Sequence, residues 1–304
     1  MNHPSPPTID PPAVQRLERL PLDQSPWLHE EVARRMAERL QWIKLQPDAW
    51  LDWAPSWGGL QGHAKLLELY PKARAHVHEP VPARAAKARQ THEPAWWQPA
   101  RWSGRAPAVG LPSDGSVQMV WSNMALHATD RPQDLIGQWH KALAVDGFLM
   151  FSCLGPDTLQ ELRALYAQAG WPAPGHVFTD MHDWGDMLVE AGFAEPVMDM
   201  ERVVLTFESP ERLLKELREL GRNLHPARFA ACRGRSWHAQ LLHALRTSPA
   251  LTEPAPGSLS LTFEIIYGHA FKPVPRIRLS SQSAVSLQEM KTVLRHNKKN
   301  LPPV

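Results

Sequence analysis

Short apolar runs separated by longer amphipathic stretches set the pattern of the chain. Ala49–Asp52, Ala75–His78, Gln118–Ser122 and Phe148–Cys153 read as buried strands, each bounded by turn or polar residues. Between them the spacing becomes helical. Val32, Met36, Leu40 and Ile43 predict a helix around His29–Trp42, and helices are predicted from Lys65 to Tyr70, Ala83 to Gln90 and Gln133 to Leu143. Pro156–Gln168 reads as another, with Pro at its start and Gly170 beyond its end. Strands alternating with helices predict a mostly parallel, doubly wound α/β sheet.

The second half changes rhythm. Val203–Phe207 and Leu261–His269 alternate like antiparallel strands. The helical insertion between them is well punctuated: Ser209 can cap, Pro210 suits the first turn, Leu213, Leu214, Leu217 and Leu220 make one stripe, and Gly221 ends it. The expected division is an arm over 1–28, partly disordered, a domain over 29–275 with a helical lid at 208–260, and a basic tail over 276–304. Residues 93–116, rich in Pro, Gly, Ser and Trp, read as a long loop.

Composition narrows the function classes. A net charge of +2 in 304 residues argues against a strongly electrostatic nucleic-acid binder. No run approaches the roughly 20 apolar residues of a membrane helix, and the proline-rich N-terminus lacks signal-peptide character. Two cysteines, Cys153 and Cys232, argue against a disulfide framework, so a reducing cytoplasm is the expected compartment. Cys153, after an apolar strand, reads as a core thiol. His76 and His78 share a strand face, but no ligand cluster joins them at metal spacing, so no metal site is expected.

Ordered motifs identify a resemblance. Val-Gln-Met-Val-Trp-Ser-Asn-Met-Ala-Leu-His (117–127) and Lys-Ala-Leu-Ala-Val-Asp-Gly-Phe-Leu-Met-Phe-Ser-Cys-Leu-Gly (141–155) resemble strands four and five of class I S-adenosylmethionine-dependent methyltransferases. Gly-Pro-Asp-Thr-Leu-Gln-Glu-Leu-Arg (155–163), the segment 180–201 and Phe-Glu-Ile-Ile-Tyr-Gly-His-Ala-Phe (263–271) are more specific. Together they resemble the malonyl-acyl-carrier-protein O-methyltransferases of early biotin synthesis. The resemblance implies a Rossmann-like methyltransferase fold, with a seven-stranded, mostly parallel sheet, a C-terminal antiparallel pair and a helical insertion. It implies S-adenosylmethionine as cofactor, and acyl-carrier protein or a small acyl thioester as partner, without nucleic acid or membrane.

It also implies a site. Asp52 ends strand one; Ala54, Ser56 and Gly58 stand at the three positions of the family's glycine turn; Glu79 follows strand two as the ribose acid; Ser122 ends strand four. Asn123 and His127 are the substrate-side candidates, with His182, Arg202, Tyr267 and His269 behind them. Arg222, Arg228, Arg233 and Arg235 are candidates for docking an acidic carrier. Two of the three turn glycines are replaced, and Trp53 and Trp57 add bulk there. A second reading therefore stands beside the enzyme: a non-catalytic binding module in which Trp53, Trp57, Trp96 and Trp97 fill the pocket or cover a partner.

Overall fold

The computed structural model describes residues 9–22, 24–92, 106–252 and 258–275. Residues 1–8, Trp96, Trp97 and the tail over 276–304 lie outside the described residues. The strands are β1 (Ala49–Trp53), β2 (Arg74–His78), β3 (Ala108–Val109), β4 (Val117–Ser122), β5 (Leu143–Leu154), β6 (Ala194–Phe207) and β7 (Leu259–Phe271). They form one seven-stranded sheet in the order β3-β2-β1-β4-β5-β7-β6. The first five are parallel; β7 pairs antiparallel with both β5 and β6.

The period of two along each strand divides the core into two layers. Trp50, Met119, Trp121 and Phe148 face one side. There they meet Leu28, Val32 and Met36 of α2 (Trp27–Arg39) and Leu66 of α4 (Leu60–Leu69). Their neighbours Leu51, Val120, Leu149 and Phe151 face the other side. Ile136 and Trp139 of α6 (Pro132–Ala142) and Trp184 and Leu188 of α8 (Met181–Glu190) cover them. This double burial explains why the parallel strands read as continuous apolar runs.

Several boundaries differ from the sequence expectation. The N-terminal segment holds a helix, α1 (Pro11–Glu18), whose Val14 and Leu17 pack in the second core layer. Asp10 ties it down through its N–H to the Leu224 carbonyl and an ion pair with Arg228. The β1–β2 connection turns helical earlier than expected, through α3 (Pro55–Gly58) and then α4. The predicted helix from Pro156 opens as a turn, and α7 runs only over Gln160–Gln168, because Leu159 adopts a left-handed conformation (φ 58°). β6 starts at Ala194, well before Val203. In the insertion, α9 (Pro210–Leu220) has the expected cap, with the Arg212 N–H donating to Ser209 Oγ, and its leucines pack on the first core layer. Helix α10 (Arg235–Thr247) follows. No helix among the described residues is long and apolar enough to cross a membrane.

Candidate active site

The carboxyl ends of β1, β2 and β4 meet where parallel α/β sheets bind ligands. Strand β1 runs directly into Ala54, which holds left-handed dihedrals (φ 58°, ψ 49°). Its N–H donates to the His78 carbonyl at 2.7 Å, and its carbonyl accepts from Trp57 and Gly58. The turn thus keeps a backbone that glycine would adopt freely, although alanine occupies it. Gly58 remains glycine for a steric reason: a β-carbon there would stand 2.7 Å from the Asn123 carbonyl oxygen.

Glu79 follows β2 and is buried. Its Oε1 accepts from the Ser56 N–H at 2.8 Å, while Oε2 is buried without a partner. Burial pushes this carboxyl above the ordinary carboxylate range; the Ser56 bonds and Arg84 oppose that, and Asp52 adds to it. Asp52 points elsewhere, into the β1–α4 contact, where the His63 Nδ1–H donates to its Oδ2 at 2.8 Å. Ser122 is fully buried in β4, its hydroxyl unpartnered.

The two added tryptophans shape the cleft as walls. Trp53 packs against His78 and Trp139 with ring centroids 4.5 and 6.2 Å away. Trp57 donates its indole N–H to the Met124 carbonyl at 3.1 Å, and its own carbonyl accepts from His29 Nδ1–H at 2.7 Å. A cavity of about 480 Å³ opens beside them, lined by Ala54, His78, Pro80, Leu111 and Ala125 among others. That lies within the 300–1,000 Å³ common for small-molecule sites. A smaller space of about 80 Å³ touches Ser56 and Glu79 and is roofed by Leu22, Gln24 and Ser25.

Asn123 and His127 sit at the end of β4, but the Asn123 side-chain amide and His127 Nδ1 are engaged within the protein. Asn123 Nδ2 donates to the carbonyls of His29 (2.7 Å) and Gly58, and Oδ1 accepts from Ser152 Oγ at 2.6 Å. His127 Nδ1 accepts from the Leu154 N–H at 3.3 Å, and burial holds the ring well below the ordinary histidine range, so it is neutral. Neither lines the cavities beside Trp57. Tyr267 donates to Glu201 at 2.5 Å within the β6–β7 ladder; His269 packs between Phe148 and Phe271; Arg202 pairs with Asp157; His182 bonds Asp180, the cap of α8. Of the four arginines expected from the sequence to dock a carrier, Arg228 pairs with Asp10 at 2.6 Å and Arg233 stacks on Phe229 and Trp237, while Arg235 opens α10. Arg222 alone of the four borders a cavity that reaches Trp57. Among the described residues no three His, Cys, Asp or Glu side chains gather as a metal site.

Two solved structures share the fold. A candidate methyltransferase from Bacillus halodurans superposes with a TM-score of 0.51 at 16% identity, covering 79% of this chain and all of that one. The YcgJ protein of Bacillus subtilis gives 0.50 at 12%, covering 81% and 99%. These likenesses concern the fold. No family model matches the chain. Sequence relatives decide the family: a malonyl-[acyl-carrier protein] O-methyltransferase of Gallionella capsiferriformans is 40% identical over 270 residues, 84% of this chain and 87% of the relative. That of Laribacter hongkongensis is 36% identical over 263 residues, covering 84% and 86%. The chain belongs to the malonyl-[acyl-carrier protein] O-methyltransferase family. Trp53 and Trp57 border the 480 Å³ cavity without filling it, whereas Glu79 lines the smaller 80 Å³ space.

Proposed function

We propose that this protein transfers a methyl group from S-adenosylmethionine to the free carboxylate of a malonyl thioester borne by acyl-carrier protein. The observation that carries the reading is Glu79, a buried carboxylate with one oxygen held by the loop and the other without a partner, in a chain of this family. An unclaimed buried acceptor is costly unless a donor arrives, and paired ribose hydroxyls are such donors. The residues present therefore fit the cofactor: Glu79 would hold its ribose, the Ala54–Gly58 turn its backbone-facing edge, and Pro80, Leu111 and Ala125 its base.

When bound, the cofactor supplies an electrophilic methyl on a sulfonium. The protein contributes position and dryness. A malonyl carboxylate is ionised near neutrality, so no general base is needed. The side chains agree with that requirement, since His127 is neutral and committed to the β5 backbone. Asn123 and His127 are positioning residues in this reading. Asn123 ties α2, the β1 turn and β5 into one unit, which fixes the cleft against drift; small misplacements are costly in methyl transfer. Trp53 and Trp57 exclude water from the acceptor side.

The test is methyl transfer from labelled S-adenosylmethionine to malonyl-acyl-carrier protein, with a Glu79→Ala variant alongside and S-adenosylhomocysteine binding measured in both. Formation of the half-ester, with cofactor affinity reduced at least tenfold in the variant, is the expected result. A folded protein that neither binds the cofactor nor forms the ester refutes the reading.

A further inference from the structure

A second cavity, of about 560 Å³, shares Trp57 as a wall with the one beside Ala54. Its apolar walls include Leu17, Leu22 and Trp27. Its charged lining is one-sided: Arg84, Lys215, Arg218 and Arg222 face a single carboxylate, Glu219, which already has Lys215 at 3.9 Å. Arg218 and Arg222 pair with no carboxylate among the described residues, and Arg222 spends its NH1 on the carbonyls of Arg218 and Gly221. Partial desolvation, then the neighbouring Arg218 charge, holds the Arg222 guanidinium below its ordinary range. Such crowding of like charge is unfavourable and is relieved by an anion.

Arg84 lies deepest in this group. It belongs to α5 (Pro82–His92) and lies over Trp57, its guanidinium carbon 5.7 Å from the ring centroid. Its Nε is buried without a partner, and it makes no ion pair with a described residue. Burial lowers its pKa; Glu79 and Glu18 pull the other way from beyond ion-pair distance. Arg84, Trp57 and Leu17 line both the 560 Å³ and the 480 Å³ cavities. A half-buried guanidinium with an idle donor thus borders both cavities.

We propose that Arg84 binds the carboxylate of the methyl acceptor from this position, and that Lys215, Arg218 and Arg222 form the mouth through which the acidic carrier presents it. The assignment rests on the methyltransferase reading above. A guanidinium fork matches a carboxylate geometrically, and an apolar, cation-ringed passage suits an acyl group on a long arm. The arrangement also favours release: the methyl ester carries no charge, so it loses the attraction that its precursor has for Arg84.

The experiment compares binding of malonyl-acyl-carrier protein with acetyl-acyl-carrier protein, the same carrier without the carboxylate, without added cofactor. The unaltered protein, Arg84→Gln, Arg84→Lys and the Arg218→Glu/Arg222→Glu double variant are titrated, and thermal melts verify folding. The unaltered protein should prefer the malonyl carrier by roughly 10- to 100-fold, the worth of a charge-assisted hydrogen bond. Arg84→Gln should bring that ratio near one by weakening the malonyl form alone, with Arg84→Lys in between. The double variant should weaken both carriers alike, and less so in high salt. A malonyl preference that survives Arg84→Gln and Arg84→Lys overturns the assignment of Arg84 while leaving the methyltransferase reading intact. Absence of any malonyl preference in the unaltered protein overturns it as well, and the transfer assay then shows whether the enzyme reading falls with it.

Discussion

Asn123 and Gly58 are fitted to each other: the Asn123 side chain donates to the Gly58 carbonyl, and its own carbonyl oxygen would lie 2.7 Å from any β-carbon at residue 58. The contact locks the end of β4 to the turn after β1. Gly58→Ala must push the turn away from Asn123, since the obstacle is backbone. Overpacking of this kind costs about 1–3 kcal/mol. A lowered urea midpoint and weaker S-adenosylhomocysteine binding are expected together; an unchanged midpoint would show that the turn is free to shift.

Ala54 makes the opposite case. Alanine to glycine normally costs stability through the unfolded chain, by about 0.4–1 kcal/mol. Here alanine sits in the left-handed region, where a side chain itself costs roughly 1–2 kcal/mol. Ala54→Gly should therefore leave the protein as stable as before or slightly more so, with cofactor binding retained. Denaturant unfolding checks the sign. A clear loss would mean that the Ala54 methyl has packing value within the second core layer that exceeds the backbone strain.

The parts of this fold that were legible in the sequence are those where burial on two faces forces a run of apolar residues. β1, β4 and β5 have that property, while β2 shows its buried Ala75 and Val77 by alternation and α9 its leucines by helical spacing. Helix α1 was hidden because only Ala13, Val14 and Leu17 of it are buried, too few for a periodic signal beside Pro11 and Pro12. The first half of β6 was hidden because its exposed face is charged and Pro196 interrupts it. Glu79 could be placed from its position after a strand. Arg84 could not, since an arginine in a polar helix looks solvated until Trp57 and α9 are brought against it. For Asn123 and His127 the location was legible, but their engagement with His29, Ser152 and Leu154 depends on partners far away in the chain.

Acid should unfold this protein through its buried histidines. Burial lowers His29 and His176 to about 4, against about 6.5 when unfolded, and His127 lies well below its ordinary value. Between these values the unfolded chain binds more protons, so the neutral rings contribute fully above pH 6.5 and their contribution is lost as pH falls toward 4. At 1.36 kcal/mol per pKa unit, His29 and His176 account for about 3 kcal/mol each. Urea midpoints at pH 7.5, 5.5 and 4.5 should fall in that order. His176→Gln should be less stable at pH 7.5 and show a shallower decline. A variant whose decline is as steep as the parent's would remove His176 from this account.

If Glu79 holds the cofactor ribose as proposed, the roof over it must move first. Leu22, Gln24 and Ser25 border a space of about 80 Å³ there, too small for a nucleoside. The segment is held by Ser25, which bonds Glu30, while the Glu30 carboxylate caps α4 by accepting from the N–H groups of Leu60 (2.8 Å) and Gln61 (3.0 Å). Binding through a closed state makes opening a separate step, so the observed rate should level off as ligand concentration rises. In stopped-flow mixing with S-adenosylhomocysteine, Leu22→Ala should raise that plateau severalfold by thinning the roof. Glu30→Gln should raise it too, at a stability cost of about 1 kcal/mol for the weakened cap. Rates that climb linearly with concentration in the unaltered protein would show that the space over Glu79 is already open in solution, and neither substitution would then speed binding.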